Sequence, residues 1–190
     1  MSPRRAALLA GAATLVAAGC STSVEGAASP ASGAGAPLGD TRVADYEVGQ
    51  LHEPGDVEYA ESPPVGGPHA AAWADCTGSV YDVPIRPENA VHSLEHGAVW
   101  VTYDPALATA DDVAALEQLV AGVSHRLLSP YEGLGSAISI QAWNHQLAVD
   151  SADDPRLAAF ADQLTQDPEN TPEPGATCEN PAFLADPETA

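Results

Sequence analysis

Two histidines and a carboxylate fall within five residues, His92-Ser93-Leu94-Glu95-His96, and Gly97 follows them. On a helical turn the four-residue spacing sets both imidazoles on one face. Paired imidazoles of this kind hold metal ions. The same letters satisfy H-x-x-E-H, the pattern of inverzincin hydrolases, in which the glutamate activates a zinc-bound water. Glu173 is the downstream candidate for a third ligand in that chemistry. Context opposes the hydrolase: Gly97 limits the motif to one or two turns, and Pro172 and Pro174 flank Glu173 where no helix can run.

Two further histidines, His52 and His69, flank a loop punctuated by Pro54-Gly55 and Pro63-Pro64-Val65-Gly66-Gly67-Pro68. Convergence of three or four of these imidazoles would make a metal site, closed or open. The expected set is His92 and His96 as a same-face pair, His69 delivered by the loop, and His52 as the fourth ligand. Glu95 is placed behind them, fixing an imidazole tautomer, with a place on the metal itself as the alternative. Histidine nitrogens suit zinc or copper(II), and the only methionine is the initiator, which excludes a thioether-rich copper(I) site. The competing reading has the same histidines bracing the loop through backbone carbonyls, with no metal at all. His125 and His145 read as surface residues, and the three tryptophans as packing. Ser93 stands in no nucleophile-elbow pattern, and Gly66-Gly67 lies in no strand-to-helix phosphate loop.

The elements that must position these groups follow from periodicity. Ala98–Tyr103 has a strand's composition. Thr109-Ala-Asp-Asp112 resembles a capping box, and apolar residues at helical spacing make Asp111–Val123 a helix. Ser124–Leu128 reads as a strand stopped by Pro130. Ala137–Trp143 alternates as a half-buried strand, continued by Gln146–Val149 after a turn at Asn144. Asp153-Asp154-Pro155 opens a second helix, with Leu157, Ala158, Phe160, Ala161 and Leu164 on its buried face. Before the central motif, Thr41–Gln50 suggests a short strand, Ala70–Trp73 a helical turn, and Cys76–Tyr81 an extended segment. Pro84 and Pro87 are expected to forbid regular structure there. The expected fold is α+β: a loop-rich N-terminal half leading into a small β-α-β-β-α sheet-and-helix domain.

Composition and the chain ends bound the setting. Arg4 and Arg5, the apolar run Ala6–Ala18, and Ala17-Ala18-Gly19-Cys20 make residues 1–19 a lipoprotein signal peptide, with Cys20 lipidated. An ordinary signal peptide cleaved near Ala18 is the alternative. Residues 20–40, rich in Ala, Gly, Ser and Pro, read as a flexible tether; 41–180 is a single domain, and 181–190 an acidic tail. The net charge is -21, from six basic residues against 27 acidic ones. That argues against nucleic acid as a partner and against docking on anionic headgroups, so the membrane contact should be the lipid alone. Cys76 and Cys178 remain after Cys20, and outside the cytoplasm such a pair usually bridges. Metal ligation by the two thiols is the other possibility.

The run Pro63–His69, then Trp73, Gly78 and Tyr81, and above all Val91–Gly97 resemble the domain of unknown function 3105, a family of bacterial extracytoplasmic proteins often carrying a lipoprotein signal or membrane anchor. The likeness extends over roughly Gly49 to Cys178, including Leu128–Tyr131, Ala142-Trp143 and Asp153-Asp154. Asn144 departs from it, standing where a glycine is expected. The resemblance implies no reaction, but His52, His69, His92, Glu95 and His96 match its motif positions, whereas His125 and His145 do not. The reading that results is a lipid-anchored extracytoplasmic domain that binds a divalent metal in transport, storage or assembly, with the ion or an envelope protein as partner. A metal-free envelope interaction or structural module is the second reading, and a zinc hydrolase the third.

Overall fold

The computed structural model describes residues 36–47 and 51–188. The elements run β1 (Thr77–Val80), α1 (Pro87–Glu95), β2 (Val99–Tyr103), α2 (Ala110–Val120), β3 (Arg126–Pro130), β4 (Ile138–Ala142), β5 (His145–Val149), α3 (Pro155–Leu164) and α4 (Pro181–Ala185). The five strands form one mixed sheet in the order β1-β3-β2-β4-β5. β3 pairs in parallel with β1 and β2, while β4 runs antiparallel to both β2 and β5. The fold is α+β, as expected. No helix among the described residues is long and apolar enough to cross a membrane.

Alternation along the strands divides the core into two layers. Val99, Val101, Leu128, Ile138 and Ile140 pack with Leu116 and Val120 of α2 and with Leu157, Phe160 and Leu164 of α3. The intervening Trp100 and Leu127 pack instead with Val91 and Leu94 of α1, with Cys76 and Cys178, and with Phe183 of α4. The site therefore belongs to the second layer, carried by α1.

α1 starts where the sequence suggested an obstacle. Pro87 is not a breaker but the first helical residue, where its missing N–H and fixed φ cost nothing. The helix ends on His96, with Gly97 in the left-handed region at φ 84°. Ala98 N donates to Ser93 O (3.0 Å) and Gly97 N to Leu94 O (2.9 Å), the paired bonds of a Schellman motif. A Cβ on Gly97 would also collide with Gln166 and Thr171. The chain is thus turned straight from the motif into β2.

Elsewhere the expectations mostly hold, with physical reasons for the exceptions. Thr109 and Asp112 form a reciprocal capping box, but α2 stops at Val120 because Gly122 takes a positive φ, leaving Val123 exposed. β3 runs through Pro130 rather than stopping before it. On α3 the buried alanines are Ala159 and Ala161, not Ala158. Thr41–Gln50 forms no strand in its described part: Arg42 makes an isolated bridge to His145, and residues 48–50 lie outside the described residues. Asn144 explains its own departure from the family pattern. It adopts φ 65°, which asparagine tolerates, and its side chain accepts from Tyr46 N (2.6 Å) and donates to Tyr46 O (3.0 Å). Ala70–Trp73 is a bend, not a helical turn.

At the ends, the stretch read as a signal peptide, Cys20, and the stretch read as a tether up to residue 35 lie outside the described residues. The last tether residues are not all free, since Leu38 packs against the α2/α3 layer. The stretch read as an acidic tail carries α4, whose Phe183 is buried. Cys76 and Cys178 are joined in a disulfide across a separation of 102 residues.

Candidate metal centre

Eight of the nine residues of α1, Glu88 to Glu95, are buried, although four are charged or polar and one is histidine. Buried polar groups must find partners, and here they bind the preceding loop to the helix. Asn89 Nδ2 donates to Ala72 O (2.8 Å), Ser93 Oγ to Ala74 O (2.7 Å), and Glu88 Oε1 accepts from Val57 N (2.7 Å). Tyr59 clamps the proline-glycine loop from the other side, donating to Pro68 O (2.7 Å). These contacts fix residues 52–74 over the histidine face of α1.

Two loop histidines meet α1 there. His52 and His69 form an isolated parallel bridge, reinforced by Glu53 N donating to His69 O (2.7 Å). His69 is 0% exposed and Glu95 2%, while His92 is 5% exposed. Ring centroids lie 4.8 Å apart for His69 and His92, 4.9 Å for His52 and His92, and 5.1 Å for His52 and His69. One ligand atom from each of His52, His69, His92 and Glu95 lies within 4.8 Å of all the others. Tetrahedral zinc, with bonds of about 2.0–2.1 Å, needs donors roughly 3.4 Å apart. Modest inward movement of the side chains would close the set.

The ring orientations suit ligation. His69 Nδ1–H donates to Gly67 O (2.9 Å) and His92 Nδ1–H to Ala70 O (2.7 Å). Each ring is therefore aimed with Nε2 turned away from its backbone anchor, the outer bond that typically fixes a ligating histidine. His69 Nε2 sits 2.9 Å from Glu95 Oε2. Even so, His69 Nε2 and Glu95 Oε1 are buried without a well-formed hydrogen bond. Unpartnered atoms of this kind are expensive in a dry interior, and they are where a cation would sit.

Electrostatics keeps the groups in distinct states. Burial, assisted by the nearby His96, His69 and His52, pushes His92 down to about 4, against the pull of the Ala70 carbonyl. It is neutral at pH 7 and offers a lone pair. For His69 burial also lowers the pKa, but the Glu95 carboxylate and the Gly67 carbonyl outweigh it and the net shift is upward. Burial would raise Glu95, yet His69 holds it below the usual carboxylate range. The two shifts are mutual, each group favouring the charged form of the other.

The structure divides the expected ligands differently from the sequence. His52, His69 and His92 come together as anticipated. Glu95, expected behind the ligands, joins the converging set itself, and His96 does not. The His92 and His96 rings touch at 4.6 Å and 86°, but His96 is directed elsewhere: its Nδ1–H donates to Thr177 O (2.8 Å), and its Nε2 lies 3.7 Å from Glu173 Oε2. Burial lowers the pKa of His96. His96 caps the helix one turn beyond His92, its N–H donating to His92 O (3.2 Å), and what takes its ring off the common point is the bond from Nδ1–H to Thr177 O. Glu173 is half exposed and anchors the tail to α1 through its backbone, Glu173 N donating to Glu95 O (3.0 Å). His125 and His145 are half buried and pinned, His125 to Ser124 and His145 to Thr41 and Asn170. Sequence reasoning missed Glu88, Asn89 and Ser93. Their signal was polarity on a helix with no exposed face.

Comparison with known families then places the chain. The model for "Protein of unknown function (DUF3105)" matches residues 51–180. The chain belongs to that family, and the matched span contains every residue of the cluster. No curated protein and no solved structure matches it.

Proposed function

We propose that the protein binds one divalent metal ion, zinc or copper(II), through His52, His69, His92 and Glu95, in a transport, storage or assembly role. The observation that carries this reading is the convergence of three imidazoles and a carboxylate, two of the rings oriented by Nδ1–H bonds, with the buried Glu95 Oε1 left without a partner. The donor set of nitrogen and oxygen, without sulfur, fits these ions. Calorimetric titration of the purified protein should give one ion per chain. Because an imidazole must be neutral to bind, affinity should fall as pH drops through the raised pKa of His69, above the ordinary histidine value of 6.5, while His92 stays neutral down to about 4. Binding of neither ion tighter than roughly millimolar, about 4 kcal/mol, would end this reading.

The second reading is a metal-free module for envelope structure or interaction, favoured by one observation: His69, Glu95 and the pinned rings also serve as braces for the loop. The zinc hydrolase ranks third, because it needs His96 on the ion. We further propose that Cys20 is lipidated and holds the domain at the outer face of the membrane. Changing Cys20 to Ser should release the protein or leave its precursor unprocessed. A mature N-terminus other than a modified Cys20 would exclude the anchor.

A further inference from the structure

Resting on the metal reading, we infer that His52 is the exchange ligand of the site, the group through which the ion enters and leaves while the other three stay in place. The four ligands are built unequally. His69, His92 and Glu95 are buried, and His52 is exposed. His69 and His92 are each pinned through Nδ1 to a backbone carbonyl. The His52 ring makes no hydrogen bond among the described residues; it is held only by stacking on His92 (16° between planes) and edge contact with His69. Its backbone, by contrast, is fixed, by the bridge to His69 on one side and by Val57 N on Glu88 and Arg86 on Gly55 O beyond it. The ring can therefore swing off the ion by side-chain rotation alone, without unfolding the loop.

Among the described residues, two other approaches are covered by tryptophans. Trp143 packs at the edge of His69, and Trp73 covers His92 on the side of His96. Solvent and any accepting ligand reach the ion across His52. A fixed pocket of three ligands closed by one mobile, exposed imidazole suits an ion that is handed on, not one locked in for structure. The substrate is then the metal ion itself, and the recipient is a partner that presents its own donor in place of His52.

Cobalt(II) serves as a coloured probe, and free imidazole as a stand-in for the missing ring. His52→Ala should still take up one cobalt, with release to a chelator about tenfold faster or more. Added imidazole should restore the wild-type visible spectrum and slow that release. His92→Ala should not be rescued, because its ligand position is sealed from solvent. Rescue of both variants, rescue of neither, or a His52→Ala release rate equal to wild type would overturn the exchange role while leaving the metal site standing. A wild-type protein that binds neither cobalt, zinc nor copper(II) would overturn both. His52→Gln, which keeps a polar side chain at this exposed position, should behave as His52→Ala does; wild-type release from it would also count against the inference.

Discussion

Reduction of the Cys76–Cys178 bridge, or Cys178→Ser, is expected to lower unfolding free energy by about 4–5 kcal/mol at most, the chain-entropy value for a loop near 100 residues. Strain in the native bridge would subtract from it. The bridge is one part of a larger latch. Cys76 N donates to Cys178 O (3.1 Å), and buried Asp75 accepts from Thr77 Oγ1 (2.6 Å), Ser79 Oγ (2.5 Å) and Asn180 N (2.7 Å). Loss should therefore appear first in residues 167–185, as hydrogen exchange of Asn180 and of the α4 backbone, before the sheet responds. Burial opposes ionisation of Asp75, but the bonds from Ser79, Thr77 and Asn180 prevail and lower its pKa. A carboxylate with a depressed folded pKa contributes stability above its unfolded value of 3.8, and that contribution is lost as pH falls through the folded value. Asp75→Asn should blunt this acid limb. Equal protection of the tail in oxidised and reduced protein would refute the latch.

The tail also reaches the site. Thr177 O receives the His96 ring, Glu173 N binds Glu95 O, and Gln166 N binds Gly97 O (2.9 Å). Residues that read as a dissolving C-terminus thus cap the end of the helix that carries the ligands.

This is where legibility in the sequence ran out. The period-3.6 pattern exposed α2 and α3, because those helices bury one face and show another. β2 and β4, buried on both faces, were legible from apolar composition and from the alternation of Ile138 and Ile140 with polar neighbours. α1 has no such contrast: it is enclosed by the loop on one side and the sheet on the other, so its polar residues face partners, not water. Pro87 looked like a breaker because proline marks helix starts and helix ends alike until the residues around it are placed. The identity of the site histidines could be read, since three of the four expected imidazoles converge. Their partition could not. Four-residue spacing does bring the His92 and His96 rings into contact, but it does not show that the tail draws His96 off through Thr177 O.

That partition makes the sharpest prediction. His92→Ala removes the donor to buried Ala70 O, so the metal-free protein should lose about 1–3 kcal/mol, the penalty for an orphaned buried carbonyl. His96→Ala also frees a carbonyl, Thr177 O, but Thr177 is exposed and water can replace the ring, so this variant should lose less. Structural roles alone would give each variant a loss that added metal leaves unchanged. Metal separates them. Zinc at a hundredfold excess over its Kd should stabilise the wild-type protein by about 2.7 kcal/mol, visible as a rise in Tm. His96→Ala should keep that increment, because its ring points to Glu173 and not to the cluster. His92→Ala should show none of it, and Glu95→Gln, which keeps the shape of the side chain but not its charge, should lose most of it. If His96→Ala abolished the increment as completely as His92→Ala, the four-residue spacing would define the site after all and the ligand set of His52, His69, His92 and Glu95 would be wrong.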